Sequence, residues 1–168
     1  IERFKKANLP LDIISGGGTG EEWESKELGF TEHRSGSYVY EGLSRIKGAG
    51  DGSDLSPERC PLRVVTTIVS VPTSDRLIVD AGMKTFRLFP SMPYGLILDD
   101  PELKFSGMSV EHGHIDSTGT NRKFSVGDKL TVIPTYQEGV TNLHDEIVWI
   151  RNDQVEHVWR NEGRGKVK

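Results

Sequence analysis

From Gly29 onward the chain is a succession of short β-prone runs: "GSYVYEG", "PLRVVTTIVSVP", "DRLIVDAG", "YGLILDD", "KLTVIPT", "DEIVWIRN" and "QVEHVWR". Val, Ile, Thr and aromatic residues suit a pleated, half-buried surface, and the Gly, Pro, Asn and Asp clusters between the runs break it. No long amphipathic helix pattern follows residue 30. Short strands at such spacing pair with near neighbours in sequence, which predicts a mainly β domain, an antiparallel barrel or sandwich of about seven strands. The clearest hairpin is "IRNDQVEHVW", in which "ND" separates two runs that alternate apolar and polar residues.

The first 28 residues have a different character. "IERFKKANLP" reads as a helical stretch stopped at Pro10. "LDII" is a short apolar run of the kind buried in a parallel sheet, and "EEWESKE" is a short polar helix. The expected division is therefore 1–28, the end of an α/β unit, and 29–168, a β domain. "KGAGDGSDLSPE" reads as a loop, since its acidic residues lack the spacing of a calcium-binding EF-hand.

Between the apolar run and the polar helix lies "SGGGTG", residues Ser15 to Gly20. Glycine permits unusual dihedrals and lets an anion approach the backbone without a Cβ in the way. A helix starting just beyond would add its positive end. The stretch is not a Walker loop, since no Gly-Lys-Ser/Thr follows. It is not the dinucleotide fingerprint either, since Glu21 stands where the last glycine belongs. Two readings stay open on these residues alone: a phosphate cradle, or a tight strand-to-helix turn without a ligand.

Charge narrows the choice of partner. The formal net charge is -4 and the sequence pI about 5.8, which argues against broad nucleic-acid binding, since that needs a basic face. No apolar run approaches the ~18 residues of a membrane span, and "IERFKK" is not followed by the apolar stretch of a secretory leader. One cysteine, Cys60, cannot form an internal disulfide and fits a reducing, cytoplasmic setting. A chain that opens on Ile1 rather than Met reads as a fragment or a processed product.

"SGGGTG", "SGSYVYEG", "VVTTIVSVP", "LIVDAGMKTF", "SVEHGHI", "VGDKLTVIP", "TNLHDEIVWI" and "GRGKV" follow one another in that order. Together they resemble the C-terminal portion of the D-threonine aldolase and D-serine dehydratase-like family, pyridoxal-phosphate enzymes of the alanine racemase fold type. The resemblance implies that residues 1–28 are the last βα unit of a (β/α)8 barrel and that residues 29–168 form the family's β domain. It implies that Ser15, Gly16, Gly17, Gly18 and Thr19 belong to the phosphate cradle of pyridoxal 5'-phosphate, near the last strands of the barrel. It also implies a β-hydroxy D-amino acid as substrate, aldol cleavage or β-elimination as the reaction, and a homodimer.

The lysine that bonds to the cofactor lies earlier in the family's barrel. Lys84 in "DAGMK" matches a lysine of the β domain, so a structural or salt-bridging role is expected for it, with Asp80 and Gly82 shaping a turn nearby. Family members often carry His-x-Cys or His-x-Asp after an "IP" pair, and these bind a divalent manganese or zinc ion. Counting from Ile133 and Pro134 puts Tyr136 and Glu138 at those places. Glutamate is a competent oxygen ligand but tyrosine replaces imidazole poorly, so no metal ligand is assigned. His112 and His114 would face the same side of a strand, and His144 follows Glu138 by six residues. The candidate catalytic residues are His112, Tyr136 and Glu138: on an extended segment Tyr136 and Glu138 share a side, where a phenol and a carboxylate can move protons or hold a hydroxyl. The alternatives are an amino-acid racemase of the same cofactor class and a non-catalytic β module for dimerisation or binding.

Overall fold

The computed structural model describes residues 1–43, 46, 56–87 and 93–166, so most of the expected "KGAGDGSDLSPE" loop lies outside the described residues. The chain divides into two compact units, Ile1–Val39 and Tyr40–Lys168.

The first unit is a small βαβ arrangement. Helix α1 spans Glu2–Lys6, strand β1 Ser15–Gly16, helix α2 Glu22–Glu27 and strand β2 Glu32–His33. β1 and β2 pair in parallel, Ser15 opposite Glu32 and Gly16 opposite His33. A parallel pair needs a crossover connection, and α2 provides it. Pairing begins at Ile14, whose carbonyl accepts the Thr31 and Glu32 amides at 3.0 and 3.2 Å. "LDII" itself is not a strand: Leu11 and Ile13 are exposed. An apolar run becomes a buried strand only where sheet and helices cover it, and within this unit β1 has one partner. "GSYVYEG" is also not a strand. Ser37–Val39 forms a single 3₁₀ turn with Tyr38 and Val39 exposed.

The second unit is mainly β, as the strand pattern requires. A six-stranded antiparallel sheet has the order β5-β8-β3-β4-β7-β6. Its members are β3 (Val64–Thr73), β4 (Arg76–Val79), β5 (Gly95–Ile97), β6 (Lys104–Met108), β7 (Gly113–Asp116) and β8 (Lys129–Pro134). The two edges, β5 and β6, approach each other, so the sheet curls into a nearly closed barrel. Period-two alternation sends Val64, Thr66 and Ile68 of β3, Leu77 and Val79 of β4, and Ile115 of β7 inward. They meet Leu130 and Val132 of β8, with Phe86 filling the centre. A second cluster, Leu43, Ile46, Cys60 and Ile133, packs on the opposite side of β8.

Beyond β8 come helix α3 (Gln137–Leu143) and a separate hairpin of β9 (Glu146–Arg151) and β10 (Gln154–Arg160). The hairpin forms as expected. Asn152 and Asp153 have φ of 51° and 59°, the left-handed pair that a two-residue turn demands. Among the described residues no helix is long and apolar enough to cross a membrane.

Candidate functional site

Two places carry the expected site residues, one in each unit. In the first unit the glycine loop leaves β1. Gly17 has φ +73°, and a Cβ there would collide with Ser25 Oγ and lie 2.6 Å from His33 Nδ1. Ser25 is buried on α2 and lies 3.2 Å from His33 Nδ1 through its hydroxyl, so the loop is pressed onto a Ser–His pair. A Cβ on Gly16 would lie 2.5 Å from the Phe30 ring. These two glycines are therefore demanded by packing, whatever the loop binds. Gly18 is different. It has no positive φ, and the nearest atom to a Cβ there is Glu21 Oε2 at 3.9 Å.

The loop's donors show what it can hold. Among the described residues the amides of Gly17 and Gly18 have no hydrogen-bond partner. The Gly20 amide donates to both carboxylate oxygens of Glu22 at 3.0 Å. Thr19 Oγ1 lies 3.2 Å from Ser35 Oγ and accepts the Gly36 amide at 3.3 Å. A carboxylate already rests on the loop's backbone, and further donors stand beside it. The residues fit an oxyanion such as a phosphate. Ser25, His33, Ser35 and Gly36 were not picked out from sequence. They come from α2 and from the chain around β2, and only the parallel pairing brings them to the loop.

In the second unit the site is built off the end of β8. Thr135 is buried and ties the strand end to its neighbour, its amide donating to the Tyr94 carbonyl at 3.2 Å and its hydroxyl to the Pro93 carbonyl. Tyr136 follows in extended conformation and Gln137 opens α3. Tyr136 and Glu138 thus do not share one extended segment, because the chain turns helical between them. Helical spacing does the sorting instead. Gln137 and Val140 point inward and are buried, while Glu138, Thr141 and Asn142 face a pocket of about 310 Å³. Tyr136, Arg87, Asn161, Gly163 and Arg164 complete its lining.

The pocket's walls are fixed by polar contacts. Asn161 Nδ2 donates to the Thr141 carbonyl and, at 3.3 Å, to the His144 carbonyl, so the residue after β10 closes the end of α3. Arg164 forms an ion pair with Asp145. The Arg87 guanidinium sits 5.6 Å from the centre of the Tyr136 ring. Arg87 had no signal in the sequence beyond its charge.

His112 is elsewhere. It is exposed in the tight turn between β6 and β7, its carbonyl accepting the Ser109 amide at 2.8 Å, and it does not line the pocket. β7 starts at Gly113, so His112 lies outside the strand that carries His114, and the two do not share a strand face. Lys84 pairs with Glu111 of the same turn, the salt-bridging role expected for it. His144 Nε2 lies 3.4 Å from the Thr85 carbonyl. Among the described residues no three of His, Cys, Asp and Glu converge. Tyr136 and Glu138 bring one phenol and one carboxylate to the pocket.

An antiparallel barrel of this strand order, preceded by a parallel βαβ piece with a glycine loop, defines the C-terminal part of a D-threonine aldolase-type fold. The structure of D-threonine aldolase from Filomicrobium marinum superposes with a TM-score of 0.80 at 21% identity, covering 100% of this chain and 46% of that one. The chain belongs to the family described as "Putative serine dehydratase domain", whose match covers residues 61–150. It is 30% identical over 163 residues to D-threonine aldolase from Arthrobacter sp, which takes in 96% of this chain and 42% of the relative. It is 31% identical over 170 residues to 3-hydroxy-D-aspartate aldolase from Paracoccus denitrificans (strain Pd 1222), 99% of this chain and 43% of the relative. The chain thus spans less than half the length of these two aldolases.

Proposed function

We propose that this chain is the C-terminal portion of a pyridoxal-phosphate-dependent lyase acting on β-hydroxy D-amino acids. Residues 1–28 are read as the last βα unit of its barrel and residues 29–168 as its β domain. The observation that carries the reading is the alignment with two aldolases of such substrates over nearly the whole of this chain. The oxyanion-ready loop adds to it.

In this reading Ser15 to Thr19 hold the cofactor phosphate, with the amides of Gly17 and Gly18 as donors. Bound pyridoxal phosphate supplies an electron sink for carbon–carbon cleavage or β-elimination. At the pocket of the β domain, the Glu138 carboxylate accepts the proton of the substrate's β-hydroxyl, and the Tyr136 phenol hydrogen-bonds the same oxygen. A second reading, assembly into a homodimer, is favoured by the β9–β10 hairpin, which leaves Val148, Ile150, Val155 and Val158 exposed.

Titration with pyridoxal phosphate beside pyridoxal tests the cofactor assignment. The phosphate-bearing compound binds and pyridoxal does not. Gly18→Val crowds the anion without a strained φ and costs about one charge-assisted hydrogen bond, roughly tenfold to hundredfold in affinity. Equal binding of both compounds, or an unchanged Gly18→Val with intact circular dichroism, leaves "SGGGTG" a turn only.

A further inference from the structure

The glycine loop rests on a pair of side chains that phosphate binding alone does not account for. Ser25 stands in the middle of α2, its amide donating to the Glu21 carbonyl at 2.9 Å and its carbonyl accepting the Phe30 amide at 3.0 Å. His33 ends β2. It is fixed by its place opposite Gly16 and by the next amide, Arg34, which donates to the Gly16 carbonyl at 3.1 Å. Helix and strand thus bring the Ser25 hydroxyl to 3.2 Å from His33 Nδ1. The pair fills the space beside Gly17. A Cβ there would collide with Ser25 Oγ and lie 2.6 Å from Nδ1 and 2.7 Å from Cε1 of the imidazole. Ser25 is buried, and the second ring nitrogen, His33 Nε2, is buried with no hydrogen-bond partner among the described residues.

A buried polar atom without a partner lowers stability. An apolar side chain at position 33 would pack without that cost, so folding alone does not call for an imidazole. What the ring supplies is a flat edge, held by one hydrogen bond, against a left-handed residue of the loop. A left-handed residue in a turn brings successive amides into one concavity. Gly17, at φ +73°, is such a residue, with its own amide and that of Gly18 open. Glycine is also the residue with the most freedom to leave that conformation. We propose that Ser25 and His33 are positioning residues of the oxyanion loop: the hydrogen bond between them fixes the wall on which Gly17 rests, and so keeps the amides of Gly17 and Gly18 aimed at one anion. Both act through Gly17 and neither touches the anion. This rests on the reading of "SGGGTG" as a phosphate cradle and names what holds the cradle in shape.

Titration of the chain with inorganic phosphate, followed by phosphorus NMR and by the imidazole ring signals of the same samples, tests it. Ser25→Ala removes the hydroxyl and His33→Leu the ring nitrogens. Each weakens phosphate binding roughly threefold to tenfold, the worth of one hydrogen bond, with circular dichroism unchanged. His33→Asn, whose side-chain amide takes the place of Nδ1, restores most of the affinity. In the parent the His33 ring signal, assigned by its loss in His33→Asn, shifts as phosphate is added, while those of His112 and His144 in the second unit stay still. The ring signal is read on the parent, so it decides even where a variant does not fold. Equal phosphate binding in a folded Ser25→Ala or His33→Leu variant overturns the proposal, as does a His33 signal that stays still while phosphate saturates the chain. No phosphate binding to the parent overturns it together with the cradle. If phosphate binding depends on the pair but pyridoxal phosphate binds no better than pyridoxal, the proposal stands and the cofactor assignment falls.

Discussion

Asp80, just past β4, joins two strands through one carboxylate. Its Oδ1 accepts the Thr66 hydroxyl at 2.6 Å and the Thr67 amide at 2.8 Å, while Lys129 Nζ donates to the Thr67 hydroxyl at 2.6 Å. Burial pushes the Asp80 carboxyl up, but the hydrogen bonds from Thr66 and Thr67 and the nearby Lys129 charge outweigh it, so the group sits below the ordinary carboxylate range. A depressed folded value means stability that is present above the unfolded carboxylate pKa of about 3.9 and is lost as pH falls through the folded one. Melting temperatures of the parent and Asp80→Asn should therefore differ most above about pH 5 and converge in stronger acid. A constant gap across that range would mean that Asp80 acts by shape and not by charge. The glycine loop makes a related point about single residues. Gly16, Gly17 and Gly18 are indistinguishable as letters, yet two are held by neighbours from α2 and beyond and the third stands open. Sequence marked the stretch; only the fold separates structural glycines from one available to a ligand.

At the scale of elements, the β9–β10 hairpin was the most legible part of the chain, because every signal for it is local. Alternation, the Asn152-Asp153 turn and β-branched residues all lie within sixteen consecutive positions. Trp149 and Trp159 meet across it with ring centres 5.2 Å apart. Two indoles so close couple in the far ultraviolet, giving the hairpin its own spectroscopic signature. Asn152→Val forces a β-branched residue into a left-handed φ, which costs roughly 1–2 kcal/mol. The coupled band of the tryptophan pair should shrink while the barrel signal persists. Asp153→Gly should preserve it, since Asn-Gly is the favoured pair for this turn. An unaltered band in Asn152→Val would show that the turn does not set the hairpin. Elements that depend on distant partners were harder to read. "GSYVYEG" has strand composition but becomes a 3₁₀ turn with its large residues outward. "QEGVTNL" has no convincing helix signal and a glycine inside it, yet α3 forms because Val140 packs into the barrel core and Asn161 closes its end. The Tyr136–Glu138 pair was singled out in sequence by resemblance, but Arg87 was not, since its approach depends on Gly139, fifty-two positions away in chain order.

At the scale of the molecule, the second unit has an interior of its own. The barrel core runs through Leu130, Val132, Ile68 and Phe86, all from the second unit. Leu130→Ala removes a fully buried side chain from it and should cost about 2–5 kcal/mol in the unfolding of that unit. Urea titration followed by circular dichroism measures it. Gly17→Ala, placed in the first unit, should leave the same transition unmoved. A shared shift would show that the two units unfold as one. The antiparallel character of the barrel was readable from sequence because strands and turns are short-range features. The strand order was not, because nothing local tells β3 to take β8 as a neighbour.

That pairing has a consequence in time. β3 can join β4 as soon as both leave the ribosome, but Val64 must wait for Val132 and Thr66 for Leu130. At synthesis rates of roughly 5–20 residues per second, the wait is several seconds. Throughout it β3, the longest strand, offers an unsatisfied edge of Val, Thr and Ile to any nascent neighbour. The chain is thus most exposed to mispairing during its own translation, and a slowly translated stretch between β7 and β8 would lengthen that exposure.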